Sequence, residues 1–481
     1  MRFKRIFLLF PSFESDTGSS RPSPSIAYIA QSLEDNNIDY DILDMKLGYN
    51  QRNLKNRISE FNPDLVGVTI FTLHHKTVYK IITDIKNKHA RFKVIVGGPH
   101  VSIDKEKVLR DCNSIDYACV NEGEDLIVEL CKGNDVSSIK GLIYRDDGKI
   151  IFNGIRPYQN NLDKYSFPKL KKFEMDKYAN EVLIISSRGC PYSCIYCSVH
   201  LVSGKKIRLR DIKNVVDELE YWYKRGKRIF NFVDDNFTFY EERVYIFCDE
   251  LEKRAMRDLI LRASNGVRAD KLNYNLLKRM KEVGFRSIGI GVEAGNNKVL
   301  KILKKGETIK EIEKAIRNAC NLGYEVSLFF VFGTPGETIE DVEDSIKIAL
   351  KYPVFKVDFY NLIPFPGTEL YKWVNENDAW IDNPEYLLDK SDKNIRFGNY
   401  PFFETKELPL NKQLQLNKRL LKVMHTVERC YLNNIFKKKI GIFSYPLSYI
   451  ISTKLIQKLY FGNNKIRKYA EKIRYSLLRQ S

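Results

Sequence analysis

"VLIISSRGCPYSCIYCSVH" occupies residues 182–200 and sets Cys190, Cys194 and Cys197 within eight residues of one another. The apolar run before them, closed by Gly189 and Pro191, reads as a buried β-strand over 182–187, which places the thiols in the loop at its C-terminal end. Three thiolates on one tight loop can hold three irons of a cubane iron–sulfur cluster and leave the fourth iron open. An open coordination position marks catalysis and a closed one marks structure. Two other uses compete. His200 follows Cys197 at a C-x2-H spacing, so a Cys3His zinc site is an alternative, and a disulfide with a spare thiol is another.

Outward from this stretch the rhythm repeats. Strands are expected at 182–187, 229–233, 260–264, 286–292, 325–332 and 356–363, each followed by a loop and a helical pattern. Six β/α units form a partial (β/α)6 barrel of parallel strands, whose chemistry gathers at the strands' C-terminal ends. Those ends read "FVDDNFT" with Asp234 and Asp235, "NGVRAD" with Arg268, "GIGVEAG" with Glu293, "FFVFGTPGET" with Gly333, Gly336 and Glu337, and "NLIPFPGTEL". All face the rim that carries the cysteines. Arg208 and Arg210 in "KIRLRD" could as easily be solvated charges and are not assigned to the site.

Upstream, strands at Arg5–Phe10, Tyr40–Asp44, Asp64–Phe71, Lys93–Gly98 and Tyr117–Val120 alternate with helices near 24–36, 51–61, 76–88 and 104–111, and another follows Glu124. This is the pattern of a flavodoxin-like, doubly wound, five-stranded parallel sheet, which binds ligands beyond its strands' C-terminal edge. At that edge lie Thr69, Phe71 and Thr72 of "VTIFT", Gly97, Gly98, Pro99 and His100 of "VGGPH", and Glu122, Gly123 and Glu124 of "VNEGED". Paired glycines let a large flat or phosphorylated ligand approach the backbone. His74 and His75 read as surface residues at a helix start. "GLIYRDDGKIIFNG" (141–154) reads as a hairpin turning at Asp146–Gly148, followed by a polar linker to about residue 180. The expected organisation is therefore 1–140, hairpin and linker 141–180, barrel 181–375, and a basic, mainly helical segment 376–481.

Composition bounds the class. At 481 residues, 43% hydrophobic and 12% aromatic, the chain is a folded protein of two or three domains. Nothing approaches the roughly 20 apolar residues of a bilayer span, and the apolar run Ile6–Phe10 is short for a signal peptide. A cytoplasmic, reducing location is expected, which disfavours disulfides among the nine cysteines. The net charge of +18 is uneven: residues 401–481 hold 17 Lys/Arg against 4 Glu, leaving about +5 for the rest.

These motifs resemble the radical S-adenosylmethionine (SAM) superfamily, whose cluster loop is C-x3-C-x2-C with an aromatic residue, here Tyr196, before the last cysteine. The ordered set over roughly residues 1–375 resembles the cobalamin-dependent branch. The resemblance implies a 4Fe-4S cluster on Cys190, Cys194 and Cys197, whose open iron chelates SAM and whose electron cleaves it to a 5′-deoxyadenosyl radical. It implies that Tyr196, Asp234, Asp235, Arg268, Glu293 and Gly333 lie around SAM. It also implies cobalamin on the N-terminal edge, with His100 at the corrin rim or in loop packing. The implied reaction is methyl transfer from methylcobalamin to an unactivated carbon of a small-molecule or lipid-like substrate, with flavodoxin or ferredoxin as reducing partner. A non-methylating cyclisation, rearrangement or oxidation is the alternative within the branch. One departure is informative: the axial-histidine form of cobalamin domain carries D-x-H-x-x-G after the first strand, and "PSFESDTGSSRPSPS" (11–25) contains no histidine. A lower face without a protein imidazole is expected.

Two further readings stay open. Cys112, Cys119 and Cys131 could hold a second cluster, as in RNA methylthiotransferases, although all fall late in the domain and Cys119 lies within a strand, where a small buried hydrophobe is the default. The tail, 437–480, interleaves Lys/Arg with Ile, Leu, Phe and Tyr. It suits helices capping the barrel with a solvated basic face, an interfacial segment at a membrane surface, or, less well, nucleic acid. A zinc-bearing protein without catalysis is the remaining alternative class.

Overall fold

The computed structural model describes residues 2–12, 21–88, 91–389, 400–440 and 444–451. The N-terminal sheet is built from β1 (Arg5–Phe10), β2 (Asp39–Asp44), β3 (Leu65–Thr69), β4 (Lys93–Gly97), β5 (Tyr117–Cys119), β6 (Leu142–Asp146) and β7 (Lys149–Phe152). Their order is β2-β1-β3-β4-β5-β6-β7. The first five pair in parallel, and "RIFLLF" is buried along nearly its whole length because helices cover both faces. The chain reverses direction across the sheet between β1 and β3, which opens a crevice beyond their C-terminal ends.

The sheet has seven strands rather than five. The hairpin expected at 141–154 is present, and β6 adds antiparallel to β5. The segment to residue 180 also packs instead of spanning free. Leu162 is buried, Phe173 and Tyr178 join the sheet's core, and the Tyr178 hydroxyl donates to Asp44 Oδ2 at 2.8 Å. Isolated apolar residues in polar sequence carry no periodicity, so this packing left no pattern to read.

The strand expected at 182–187 divides into β8 (Val182–Ile184) and β9 (Ser187–Arg188), and β9 leaves the barrel to pair antiparallel with β10 (Arg208–Leu209). The barrel continues through β11 (Ile229–Phe232), β12 (Ile260–Val267), β13 (Phe285–Glu293), β14 (Glu325–Phe332) and β15 (Lys356–Asn361). Its six strands pair in parallel in the order β8-β11-β12-β13-β14-β15. Several of the helices between them begin at side-chain caps; Thr308 and Thr338 each form a reciprocal capping box with the third helical residue. Phe232, Phe237, Phe247 and Phe285 fill the barrel wall beneath β11, with ring centroids of Phe232 and Phe237 4.4 Å apart. The long helix Leu410–Ile440 lies against β15 and buries Leu416, Leu420, Val423 and Val427 in the barrel core. Part of the basic segment is thus a cap on the barrel; residues 441–443 and 452–481 of it lie outside the described residues. Among the described residues no helix is long and apolar enough to cross a membrane.

Candidate active site

The cysteine loop is pinned from below. Gly189 has φ +96°, and a Cβ there would run into the Lys206 carbonyl oxygen. Its N–H donates to Asp235 Oδ2 at 2.8 Å, and the Cys190 N–H donates to the Gly204 carbonyl at 3.1 Å. Farther along, the Ile195 N–H donates to Leu303 O, and Ile195 O accepts from the Leu370 N–H. The loop is therefore anchored at both ends, and its three thiols remain partly exposed. Burial pushes all three thiols up, Cys194 to about 12, while Lys305 and Arg268 pull Cys194 and Cys190 back. Iron deprotonates a coordinating thiol outright, and the two cations suit an anionic thiolate set. The donor chemistry fits an iron–sulfur cluster. Among the described residues no group of three or more His, Cys, Asp or Glu side chains is already closed around a single-ion centre.

A chain of buried charges lines the loop's inner side. Glu293, at the end of β13, has φ 65°, a left-handed conformation that a glutamate adopts only when its surroundings impose it. Its carboxylate is hydrogen-bonded to the Tyr196 phenol and accepts from Lys305 Nζ at 3.0 Å. Lys305 Nζ also lies 3.3 Å from Glu307 Oε2. Burial opposes the lysine's charge, but Glu293 and Glu307 outweigh it and raise its pKa. Arg268 stacks its guanidinium 3.6 Å over the ring of Tyr192, in the cysteine loop, and donates to Lys305 O at 2.5 Å and Gly306 O at 3.2 Å. Together these groups give the cysteine loop an adjacent ammonium, guanidinium and carboxylate, the complements of an amino acid's carboxylate and amine.

Not every expected residue faces this space. Asp235 and Glu293 touch the loop itself or its tyrosine. Asp234 sits beneath it: Oδ1 accepts from the Ser186 N–H and from the hydroxyls of Ser186 and Ser187, and burial raises its pKa to about 6. Gly333 donates its N–H to Glu337 Oε2 at 2.7 Å and forms part of a closed turn. Lys305, Glu307 and Tyr192 were missed. In "KKGET" two adjacent lysines look alike; Lys304 turns outward to Glu369 and only its neighbour goes in.

At the N-terminal sheet's edge, Gly98 has φ +108°, and a Cβ there would meet Ile70 O at 2.8 Å and Thr69 Oγ1 at 2.9 Å. The turn can be made only by glycine, and it brings backbone to the edge. Thr69 ends β3, and Phe71, at the mouth of the crevice, is 39% exposed and packs on Phe10. Gly97, Gly98 and Pro99 border the same edge, so this shelf presents backbone and the Phe71 ring. Thr72, buried, takes the Nδ1–H of His75 on its carbonyl. His75 is not a surface residue: it is buried, and its ring lies 4.5 Å from that of His100. His100 is enclosed too, hydrogen-bonded to the Tyr79 hydroxyl at 2.9 Å, and burial lowers its pKa to about 3. It belongs to the packing behind the turn.

Glu122 and Glu124 are a second correction. They accept from arginines of the other domain instead of facing the shelf, with Gly123 between them packed close to Ile29. Arg208 and Arg210, left unassigned by the sequence, are not solvated: each is 3% exposed. Arg210 pairs with Glu218 at 2.6 Å, and Arg208 with Glu122 at 2.6 Å. Cys112 lies in the core on one face of the N-terminal sheet, and Cys119 and Cys131 in the core on the other. Three thiols divided by a sheet cannot share a cluster.

The shelf and the cysteine loop meet. The helix Pro99–Asp104 packs against Val199–Val202, which begins two residues after Cys197, and a Cβ on Gly367, in the loop after β15, would touch both Leu201 and Ile103.

Residues 184–349 match the radical SAM superfamily, and residues 17–131 match the B12 binding domain. An uncharacterized methyltransferase of Pyrococcus horikoshii is 30% identical over 395 residues, spanning 79% of this chain and 85% of that protein. An anaerobic magnesium-protoporphyrin IX monomethyl ester cyclase of Cereibacter sphaeroides is 25% identical over 405 residues, 79% of this chain and 65% of its own. Among solved structures, the radical SAM methyltransferase TsrM from Kitasatospora setae, with cobalamin and a [4Fe-4S] cluster bound, has the same fold, with a TM-score of 0.65 at 20% identity over 79% of each chain. Fold, cysteine loop and shelf define a radical SAM enzyme with a B12-binding domain. Within that class the chain belongs to the cobalamin-dependent radical SAM methyltransferase family, whose cofactors are a 4Fe-4S cluster, SAM and cobalamin.

Proposed function

We propose that the enzyme methylates a carbon of a small, largely apolar or lipid-like molecule held between the cysteine loop and the shelf. The observation that carries this is the direct packing of Pro99–Asp104 on Val199–Val202, which puts the edge suited to a corrin beside the loop suited to the cluster. The cofactors supply the radical and the methyl group. The chain's part is placement. Lys305 and Arg268 offer cations for the SAM carboxylate, Glu293 is oriented by Tyr196 and Lys305, and Asp235 holds Gly189. Tyr192, Phe239 and Tyr240 form an edge-to-face aromatic patch beside the loop, with centroids 6.0 and 4.7 Å apart, and Tyr240 is 44% exposed. Such a patch supports an apolar substrate, which would also be excluded from water there. Incubation of the reduced enzyme with methyl-deuterated SAM and candidate pigments, isoprenoids and lipids tests this; a product heavier by one labelled methyl is expected. Substrate-dependent 5′-deoxyadenosine with no labelled product would instead select the cyclisation or oxidation reading, which similarity to the Cereibacter cyclase favours.

Two finer parts of the reading rest on composition and chemistry. A cytoplasmic flavodoxin or ferredoxin is the proposed electron donor, tested by whether it replaces dithionite in supporting SAM cleavage. Peripheral membrane contact through the basic tail is tested by liposome sedimentation; binding unchanged on deleting residues 436–481 removes it.

A further inference from the structure

The "VNEGED" loop follows β5 in the cobalamin-binding domain, yet two of its carboxylates, Glu122 and Glu124, are engaged by the barrel domain. Arg188 Nη1 donates to Glu122 Oε1 at 3.0 Å, and Arg188 Nη2 donates to Glu124 Oε1 at 2.6 Å. Arg208, paired with Arg188 across the β9–β10 ribbon, donates to the same Glu122 oxygen at 2.6 Å. The other Glu122 oxygen accepts the Gln159 N–H at 2.8 Å. Aromatic rings hold both guanidiniums: Arg188 lies 5.0 Å over Tyr28, in the first helix of the N-terminal domain, and Arg208 lies 4.8 Å over Tyr158. The four charged side chains are between 2% and 16% exposed. Only Gly189 separates Arg188 from Cys190, and its N–H is held by Asp235.

A buried ion network is poor evidence for stability, since desolvation offsets much of its Coulomb energy; its best-attested use is to fix one register among several. Here the register it fixes is that of the cysteine loop against the shelf. A fork-shaped guanidinium satisfied by two carboxylates has one orientation, whereas apolar packing at a domain interface tolerates sliding. We infer that Glu122 and Glu124, through Arg188, are positioning residues that set the distance between the cluster loop and the corrin edge. This rests on the reading that the N-terminal edge binds cobalamin.

The test uses the full chain, reconstituted anaerobically with iron, sulfide and cobalamin and reduced to give a paramagnetic cluster and cob(II)alamin. Pulsed EPR then reads the dipolar coupling between the two spins, which needs no substrate. The wild type is expected to show one narrow distance distribution. Arg188→Ala and Glu124→Gln are expected to broaden or shift it while iron content, cobalamin absorbance and each centre's own spectrum stay unchanged. Arg188→Lys, which can satisfy only one carboxylate, should fall between. Glu124→Gln keeps the shape of the site, so it carries the test where Arg188→Ala does not fold. Wild-type coupling in Glu124→Gln, with both cofactors bound, overturns the clamp alone. A wild-type protein that takes up no cobalamin overturns the reading beneath it, and the clamp with it.

Discussion

The barrel rim and the N-terminal sheet edge are both C-terminal ends of parallel strands, and both present acidic residues and glycines. They spend them differently. At the rim, Asp235 and Glu293 stay with the cysteine loop, one on Gly189 and one on Tyr196 and Lys305. At the edge, Glu122 and Glu124 leave their own domain and take arginines from the other. A partly or wholly buried carboxylate goes to whichever cation the fold brings within reach. We propose that the rim meets its ligand with charge, and the edge with backbone and apolar surface.

The largest effect should come from the loop. Replacing Cys190, Cys194 and Cys197 with alanine is expected to abolish iron–sulfur absorbance and 5′-deoxyadenosine formation while leaving cobalamin binding intact, as read by anaerobic absorbance and chromatography. Next, Lys305→Met leaves Glu293 without its ammonium and Glu307 with only Arg268, 3.7 Å away, and should cost about 3–5 kcal/mol in urea unfolding. The double variant with Glu293→Gln should regain part of that, because the carboxylate that lost its cation is gone. Conversely, Gly98→Ala should weaken cobalamin binding and cost about 1–3 kcal/mol of backbone strain with no loss of iron. If Gly98→Ala also emptied the cluster site, the division of labour between edge and rim would fail.

The cysteine loop, the barrel order and the doubly wound sheet were all legible because each depends on local pattern: spacing of thiols, apolar runs, glycine at strand ends. Partner choice was not. "KKGET" does not say which lysine turns inward, and "KIRLRD" gives no sign that Arg208 and Arg210 will be covered by the other domain. His75 reads as a helix-start residue until Thr72 and His100 are seen on either side of it. Such facts depend on contacts between residues far apart in the chain.

A pH-dependent effect probes the rim's closed turn. Burial raises the Glu337 pKa from 4.5 to about 8, with its N–H donors Thr334 and Gly333 pulling the other way. The folded protein therefore holds a proton that the unfolded chain releases, and this contribution, full below pH 4.5, is lost as pH rises through about 8 at about 1.4 kcal/mol per pH unit. Glu337→Gln removes the ionisation, so its stability relative to wild type should rise between pH 5 and 8, measured by urea unfolding at each pH. The smallest effect is expected from replacing Cys112, Cys119 and Cys131 with alanine: iron per chain should not change, because those thiols are divided between the two faces of the sheet.

The central claim is that the three-cysteine loop carries the SAM-cleaving cluster. Its most direct test is 5′-deoxyadenosine formed when anaerobically reconstituted, reduced protein is given SAM. Formation by the wild type, abolished by alanine at any one of Cys190, Cys194 or Cys197, is the predicted result. Stoichiometric zinc in place of iron, with no 5′-deoxyadenosine from any preparation, would contradict it.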